Sequence, residues 1–222
     1  MASRKSKDYV PLVMWLILLT GILALAFVRS VRGTGLWSER FLNGDTVFIG
    51  LYILWMVIEL RVTRKDIRTE GKKISDFATC QLYGTGQLTT ILTALWFPSV
   101  WRGPNAAHVA GLSVFVLGAG YRLWAVRTLG RYYSHRVRTM AQHRIVATGP
   151  YRFTRHPAYA GMIAAHAGIC IYFFNWVTVC AFLFLLVPAI LLRIVIEERT
   201  LFGIEGYAEF AEKRKRLFPA IW

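Results

Sequence analysis

PAYAGMIAAHAGICIYFFNWVTVCAFLFLLVPAILL occupies positions 157–192, thirty-six residues without an Asp, Glu, Lys or Arg. As one helix it would be ~54 Å long, far more than a hydrocarbon core of ~30 Å requires. It reads instead as two spans forming a helical hairpin, 157–196 once the polar end of the second helix is included. Asn175-Trp176, a polar residue beside an interfacial aromatic, is the turn, and it leaves two antiparallel helices of nearly equal length.

Working outward, four earlier apolar runs at 9–28, 45–60, 77–98 and 105–126 read as spans one to four. The second is short and ends in Glu59, and the third carries Gln81, Gln87 and several threonines, so both are expected to lie among other helices rather than against lipid. The fold class expected is all-α, a polytopic transmembrane bundle of about six spans, with spans one to four in 1–126 and a second unit in 127–222. Hydrophobic residues make up 55% of the 222 and charged residues only 18%, which excludes a soluble enzyme, a disordered tail and a basic nucleic-acid binder. The uncharged run after Arg4, Lys5 and Lys7 is long enough to be a first span rather than a removable leader. Cys80, Cys170 and Cys180 have no CxxC spacing and read as reduced packing residues.

Basic residues set the orientation. Of 27 Lys and Arg, only Arg29, Arg32, Arg40 and Arg102 fall in the loops opposite the termini, so the positive-inside rule places both termini in the cytoplasm. The same bias draws that face onto anionic headgroups of membrane lipids. Three loops are too short for chemistry, which leaves the connection 127–155 and the tail after 192. Within the connection, 144–148 reads as a short strand or extended piece closed by Gly149-Pro150. The tail, 197–215, has Leu201, Tyr207, Phe210 and Ala211 on one side and Arg and Lys opposite. It is expected to be a C-terminal interfacial helix, broken near Gly203 and Gly206, with Phe218, Ile221 and Trp222 as an anchor.

Two constellations could carry chemistry. Pro157 disfavours helix at His156 and suits the first turn of one, so a helix should begin there, preceded by Arg152, Arg155 and His156. Its free N–H groups make either a cradle for a carboxylate, phosphate or nucleoside, or an ordinary headgroup-binding turn. At the other end of the hairpin, Arg193 and Glu197 are four apart and share a helix face, with Glu198 next to them. Because the chain turns at Asn175, His156 and Glu197 should return to the same level and face each other.

These residues resemble a known family. Leu129-Gly130, His143-Arg144-Ile145-Val146, Thr148-Gly149-Pro150-Tyr151, Arg155-His156-Pro157-Ala158-Tyr159-Ala160-Gly161, then Arg193, Glu197-Glu198, Leu201, Tyr207 and Pro219 are similar to the isoprenylcysteine carboxyl methyltransferases, whose wider superfamily includes phospholipid N-methyltransferases. The resemblance implies an integral membrane enzyme that moves a methyl group from S-adenosylmethionine to a lipophilic acceptor, and a methyltransferase core in 127–222. It implies cofactor contacts from His143, Arg144, Ile145, Val146, Tyr151, His156, Pro157, Ala158, Tyr159 and Glu197. Arg193 would lie at the acceptor, with Glu198 as the second catalytic residue. The stretch between Glu197 and Tyr207 is shorter than usual in the family, so the register of Glu197 against Glu198 stays open.

The chemistry of the residue types is compatible with this. A carboxylate at 197 or 198 could accept from ribose hydroxyls or an ammonium, and Tyr151 or Tyr159 could face a sulfonium. The expected acceptor is a small lipophilic or prenylated molecule entering from the bilayer, most simply a carboxylate of the isoprenylcysteine type. A phospholipid amine or another small lipophile, or a non-enzymatic membrane scaffold, are the alternatives. No nucleic acid partner and no metal are expected, because no histidine pair has zinc spacing with a third ligand. Gly118-Ala119-Gly120 lacks the strand and third glycine of a nucleotide loop and reads as a close helix contact.

Overall fold

The computed structural model describes residues 10–31, 44–68, 72–73, 78–101, 103–133, 138–139, 145–218 and 222. Its architecture is helical: α1 (Val10–Val31), α2 (Gly44–Arg68), α3 (Thr79–Trp96), α4 (Ala106–Leu129), α5 (Pro157–Tyr172), α6 (Trp176–Leu201) and α7 (Tyr207–Glu212). Extended pairing among the described residues comprises a two-residue antiparallel ladder, Lys72–Lys73 with Arg138–Thr139, and an isolated parallel bridge between Thr154 and Lys215. Two of the described helices, α4 and α6, are long and apolar enough to cross a membrane.

The hairpin expected from sequence has a local cause. Asn175 caps α6, its Oδ1 accepting from Thr178 N at 2.9 Å while its Nδ2 donates to Phe173 O at 3.0 Å, so one side chain stops α5 and starts α6. The loop before α4 is tied to the same turn, with Val100 N donating to Phe174 O and Trp101 Nε1 to Ile171 O. Asn105 and His108 form a reciprocal cap at the start of α4. Within α6, Phe182–Leu186 makes a π-type turn just before Pro188, which has no N–H to give to the preceding turn.

Helices α4 and α5 are packed backbone to backbone, through glycines seven apart on each. A methyl at Gly118 would overlap Ala165 N, one at Gly111 would sit 2.6 Å from Tyr172 N, and one at Gly161 2.6 Å from Arg122 N. Gly168 is likewise closed by Phe115 N. Gly118 is therefore a close helix contact, as its sequence context indicated, whereas Gly120 has nothing within 4 Å. Aromatic rings fill the core on the far side, where Phe48 of α2 lies 4.7 Å from Phe115 and 4.5 Å from Tyr172 between ring centres. The threonines of α3 satisfy themselves: Thr90 Oγ1 donates to Gly86 O and Thr93 Oγ1 to Thr89 O, and Thr93 Oγ1 accepts from Thr178 of α6. That is how a polar helix is accommodated inside the bundle.

Two expectations are corrected. Residues 145–148 are irregular rather than a strand and lead straight into a 3-10 turn at Gly149–Arg152, where Gly149 takes a positive φ of 56°. The tail breaks near Gly203 and Gly206 as expected, but its second part is not an interfacial helix. α6 runs on to Leu201, the chain turns with Gly206 at φ 79°, and α7 is only six residues long. Its Tyr207, Phe210 and Ala211 are buried against Ala125, Val126, Tyr151 and Ala158 instead of being left for lipid. The apolar stripe was real, but protein covers it. Trp222 is 42% exposed and packs over Arg216, whose N–H donates to Trp222 O. The anchoring expectation for Ile221 lies outside the described residues.

Candidate active site

The end of the bundle that holds the start of α5 also holds the last turns of α4 and α6 and the start of α3. Pro157 is the first residue of α5, and His156 before it is non-helical at φ −126°, ψ 56°. Four main-chain N–H groups around this turn are already used within the protein, and Pro157 has none to offer. Arg155 N donates to Lys215 O and His156 N to Arg216 O, while Tyr159 N and Ala160 N both donate to His156 O. A parallel bridge between Thr154 and Lys215 and a bond from Arg155 Nε to Arg214 O complete a strap of 214–216 across the 154–156 turn.

Glu198 fastens that strap. Its Oε1 is 3.0 Å from Arg155 Nη1 and 3.2 Å from His156 Nε2, and its Oε2 accepts from Arg216 Nε at 2.7 Å. The Glu198 side chain is 3% exposed, so three donors on a desolvated carboxylate form a strong knot.

Glu197, one residue earlier and so about 100° around the helix, faces elsewhere. Its Oε2 accepts from Tyr159 Oη at 2.8 Å, and the same Tyr159 Oη accepts from Arg193 Nε at 2.7 Å. Arg193 and Glu197, placed on one face by their spacing, are thus joined through a tyrosine of α5. Arg193 is buried and also donates from Nη1 to Thr79 Oγ1 of α3 at 3.3 Å. The structure therefore brings together Arg193, Tyr159 and Glu197, and groups His156 with Glu198 rather than with Glu197.

The other expected residues divide as follows. Tyr151, Ala158, Ile145 and Val146 gather in one apolar cluster with Ala125, Val126, Tyr207 and Phe210. Pro157 is buried. His143 and Arg144 lie outside the described residues. Burial, then the charge of Glu197, pushes the Tyr151 phenol well above its ordinary range, so this ring is a neutral wall. Tyr207, in the same cluster, is 3% exposed and its hydroxyl has no partner among the described residues.

A second buried pair had no motif to announce it. Arg122 of α4 is 2% exposed and grips Glu59 of α2 with two parallel bonds, Nε to Oε1 at 2.9 Å and Nη2 to Oε2 at 3.1 Å. It also donates to Tyr133 Oη at 2.9 Å and to Ala158 O at 3.3 Å, tying α2, the turn after α4 and the first turn of α5. The signal was Glu59 standing at the end of an apolar run, a carboxylate that must find a cation.

The family model for isoprenylcysteine carboxyl methyltransferases matches residues 110–203, a segment holding every residue of the two clusters around Glu197 and Glu198 except Thr79 and the 214–216 strap. A probable protein-S-isoprenylcysteine O-methyltransferase of Oryza sativa subsp. indica is 34% identical over 139 residues, covering 60% of this chain and 72% of that protein. The chain belongs to the isoprenylcysteine carboxyl methyltransferase family. The protein-S-isoprenylcysteine O-methyltransferase of Saccharomyces cerevisiae is 33% identical over 109 residues, 47% of this chain and 46% of the yeast protein. The uncharacterized protein YpbQ of Bacillus subtilis is 31% identical over 104 residues, 47% of this chain and 58% of that protein. Membership brings the expectation of a methyl donor, and the donor set fits one that is cationic and carries hydroxyls. Among the described residues only Tyr159 donates to Glu197, which leaves its other oxygen open, and the orphaned Tyr207 hydroxyl and the Tyr151 wall lie in the adjoining cluster.

Proposed function

We propose that this chain is a multi-pass membrane methyltransferase that moves a methyl group from S-adenosylmethionine to the carboxylate of an isoprenylcysteine-type acceptor. In this reading about six helices span the bilayer, both termini are cytoplasmic, and the core of 127–222 takes cofactor from the cytoplasm and acceptor from the bilayer. The observation that carries it is the partly buried hydrogen-bonded chain Arg193–Tyr159–Glu197. It sets a cation, a hydroxyl and a carboxylate in series between α3 and the apolar cluster of Tyr151, Ile145 and Val146.

S-adenosylmethionine, when bound, supplies an electrophilic methyl on a sulfonium. Glu197 would accept hydrogen bonds from the cofactor's hydroxyls or ammonium, and Tyr207 would meet its polar groups with a hydroxyl that has no partner among the described residues. Ile145, Val146, Tyr151 and Ala158 exclude water around it. Arg193 holds and orients the acceptor carboxylate, and Tyr159 keeps Arg193 aimed. An ionised carboxylate needs no general base, so alignment and desolvation are the main demands on the protein. Glu198 acts indirectly, by fastening the strap over the turn that carries His156 and Tyr159.

The test is a transfer assay with purified protein and tritiated cofactor against farnesylcysteine, phosphatidylethanolamine and a quinone-like phenol. Labelling of farnesylcysteine alone supports the reading, and labelling of the phospholipid amine alone overturns the acceptor assignment. For orientation, a reporter fused after Trp222 should be active in the cytoplasm, and activity only outside it would reverse the proposed topology.

A further inference from the structure

Tyr83 of α3 lies outside the segment matched by the family model, yet it sits against the proposed site. Its ring meets the Tyr159 ring edge-on at 6.3 Å. Thr79, one helical turn earlier and so on the same face of α3, accepts from Arg193 Nη1. The guanidinium groups of Arg122 and Arg193 and the carboxylate of Glu59 all act electrostatically on the Tyr83 phenol. Despite this polar company, the residue is 8% exposed and its hydroxyl has no hydrogen-bond partner among the described residues. A buried hydroxyl without a partner costs stability, while the bare ring of phenylalanine would fill the same space without that cost. Such a cost is retained where the group has work to do with a ligand.

We propose that the Tyr83 hydroxyl contacts the methyl acceptor, donating a hydrogen bond to its carboxylate beside Arg193. This rests on the reading of Arg193 as the acceptor's cation and extends it to a helix that carries no family motif. Two donors from different helices, one charged and one neutral, would fix both oxygens of a carboxylate and so set the angle at which it meets the methyl group. A neutral amine acceptor would gain nothing from Arg193 and little from a hydroxyl donor, so the pairing selects for carboxylates.

The experiment is Tyr83→Phe, which keeps the ring and its contact with Tyr159. Wild-type protein is first shown to bind adenosylhomocysteine and to methylate farnesylcysteine; failure at this stage refutes the functional reading itself, and with it the inference. Given a competent wild type, Tyr83→Phe is expected to lower kcat/KM for farnesylcysteine about tenfold, the usual scale for loss of a hydrogen bond to a charged partner. Adenosylhomocysteine affinity should stay the same, and the melting temperature should be equal to or above that of the wild type. Unchanged kcat/KM overturns the proposal. So does a fall in melting temperature accompanied by equal losses for cofactor and acceptor, which would make Tyr83 a packing residue.

Discussion

Glu197 and Glu198 are adjacent, chemically identical and both near the proposed site, so exchanging each for glutamine separates the roles that geometry gives them. Glu198 accepts from Arg155, Arg216 and His156 at 3.0, 2.7 and 3.2 Å with a side chain only 3% exposed. Glutamine keeps one acceptor oxygen and turns the other into a donor pointed at a guanidinium. Breaking a buried ionic cluster from one side typically costs about 3–5 kcal/mol. At roughly 2–4 °C per kcal/mol for a chain of this size, the apparent melting temperature should fall by roughly 6–20 °C. Glu197 is half-buried and, among the described residues, accepts only from Tyr159, a bond that glutamine can still accept, so Glu197→Gln should melt within a few degrees of wild type. Its expected defect lies in adenosylhomocysteine affinity, weakened by a charge-assisted hydrogen bond of about 1.5–3 kcal/mol, tenfold or more. Both quantities come from one detergent-solubilised preparation, by thermal melts with and without adenosylhomocysteine. A Glu198→Gln protein that melts like wild type but no longer binds adenosylhomocysteine, beside a thermolabile Glu197→Gln, would refute the assignment.

Arg193→Lys should leave adenosylhomocysteine binding near normal but cut turnover with a carboxylate acceptor by about tenfold or more, ~1.4 kcal/mol, because a point charge cannot hold Tyr159, Thr79 and a carboxylate at once; equal turnover removes it from the site. Glu59→Gln should lower stability by about 3–5 kcal/mol in denaturation by graded detergent, whereas Glu59→Leu with Arg122→Met should recover much of that loss, since a buried pair costs more broken than absent. Gly118→Ala should destabilise by about 1–3 kcal/mol by pressing a methyl into α5, while Gly120→Ala, facing open space, should be neutral or slightly stabilising on melting.

What could be read from the sequence was what neighbouring residues decide. The break at Asn175, the start at Pro157 and the close approach at Gly118 each depend on one residue's own geometry, and the structure has them where the pattern put them. What could not be read were partnerships across long separations. Arg122 and Glu59 are 63 positions apart, and nothing near either one names the other. The same applies to the strap: the apolar stripe at Tyr207, Phe210 and Ala211 is the same whether lipid or Tyr151 covers it, and only the fold brings Lys215 and Arg216 to the 154–156 turn. The N–H groups of Arg155 and His156, just before Pro157, are taken by Lys215 and Arg216, a pairing that no local pattern announces. Glu197 and Glu198 differ by about 100° of helix rotation, and it is this rotation that turns Glu197 toward Tyr159 and Glu198 toward the strap.

The central claim is carboxyl methylation, and the bond formed can be read chemically. Purified protein is incubated with tritiated S-adenosylmethionine and farnesylcysteine, the lipid-soluble product is treated with base, and volatile label is counted. A methyl ester releases methanol under base, so the account predicts volatile counts that depend on farnesylcysteine and fall with Arg193→Lys. Label that stays in a base-stable lipid product, or volatile counts that Arg193→Lys leaves unchanged, would contradict it.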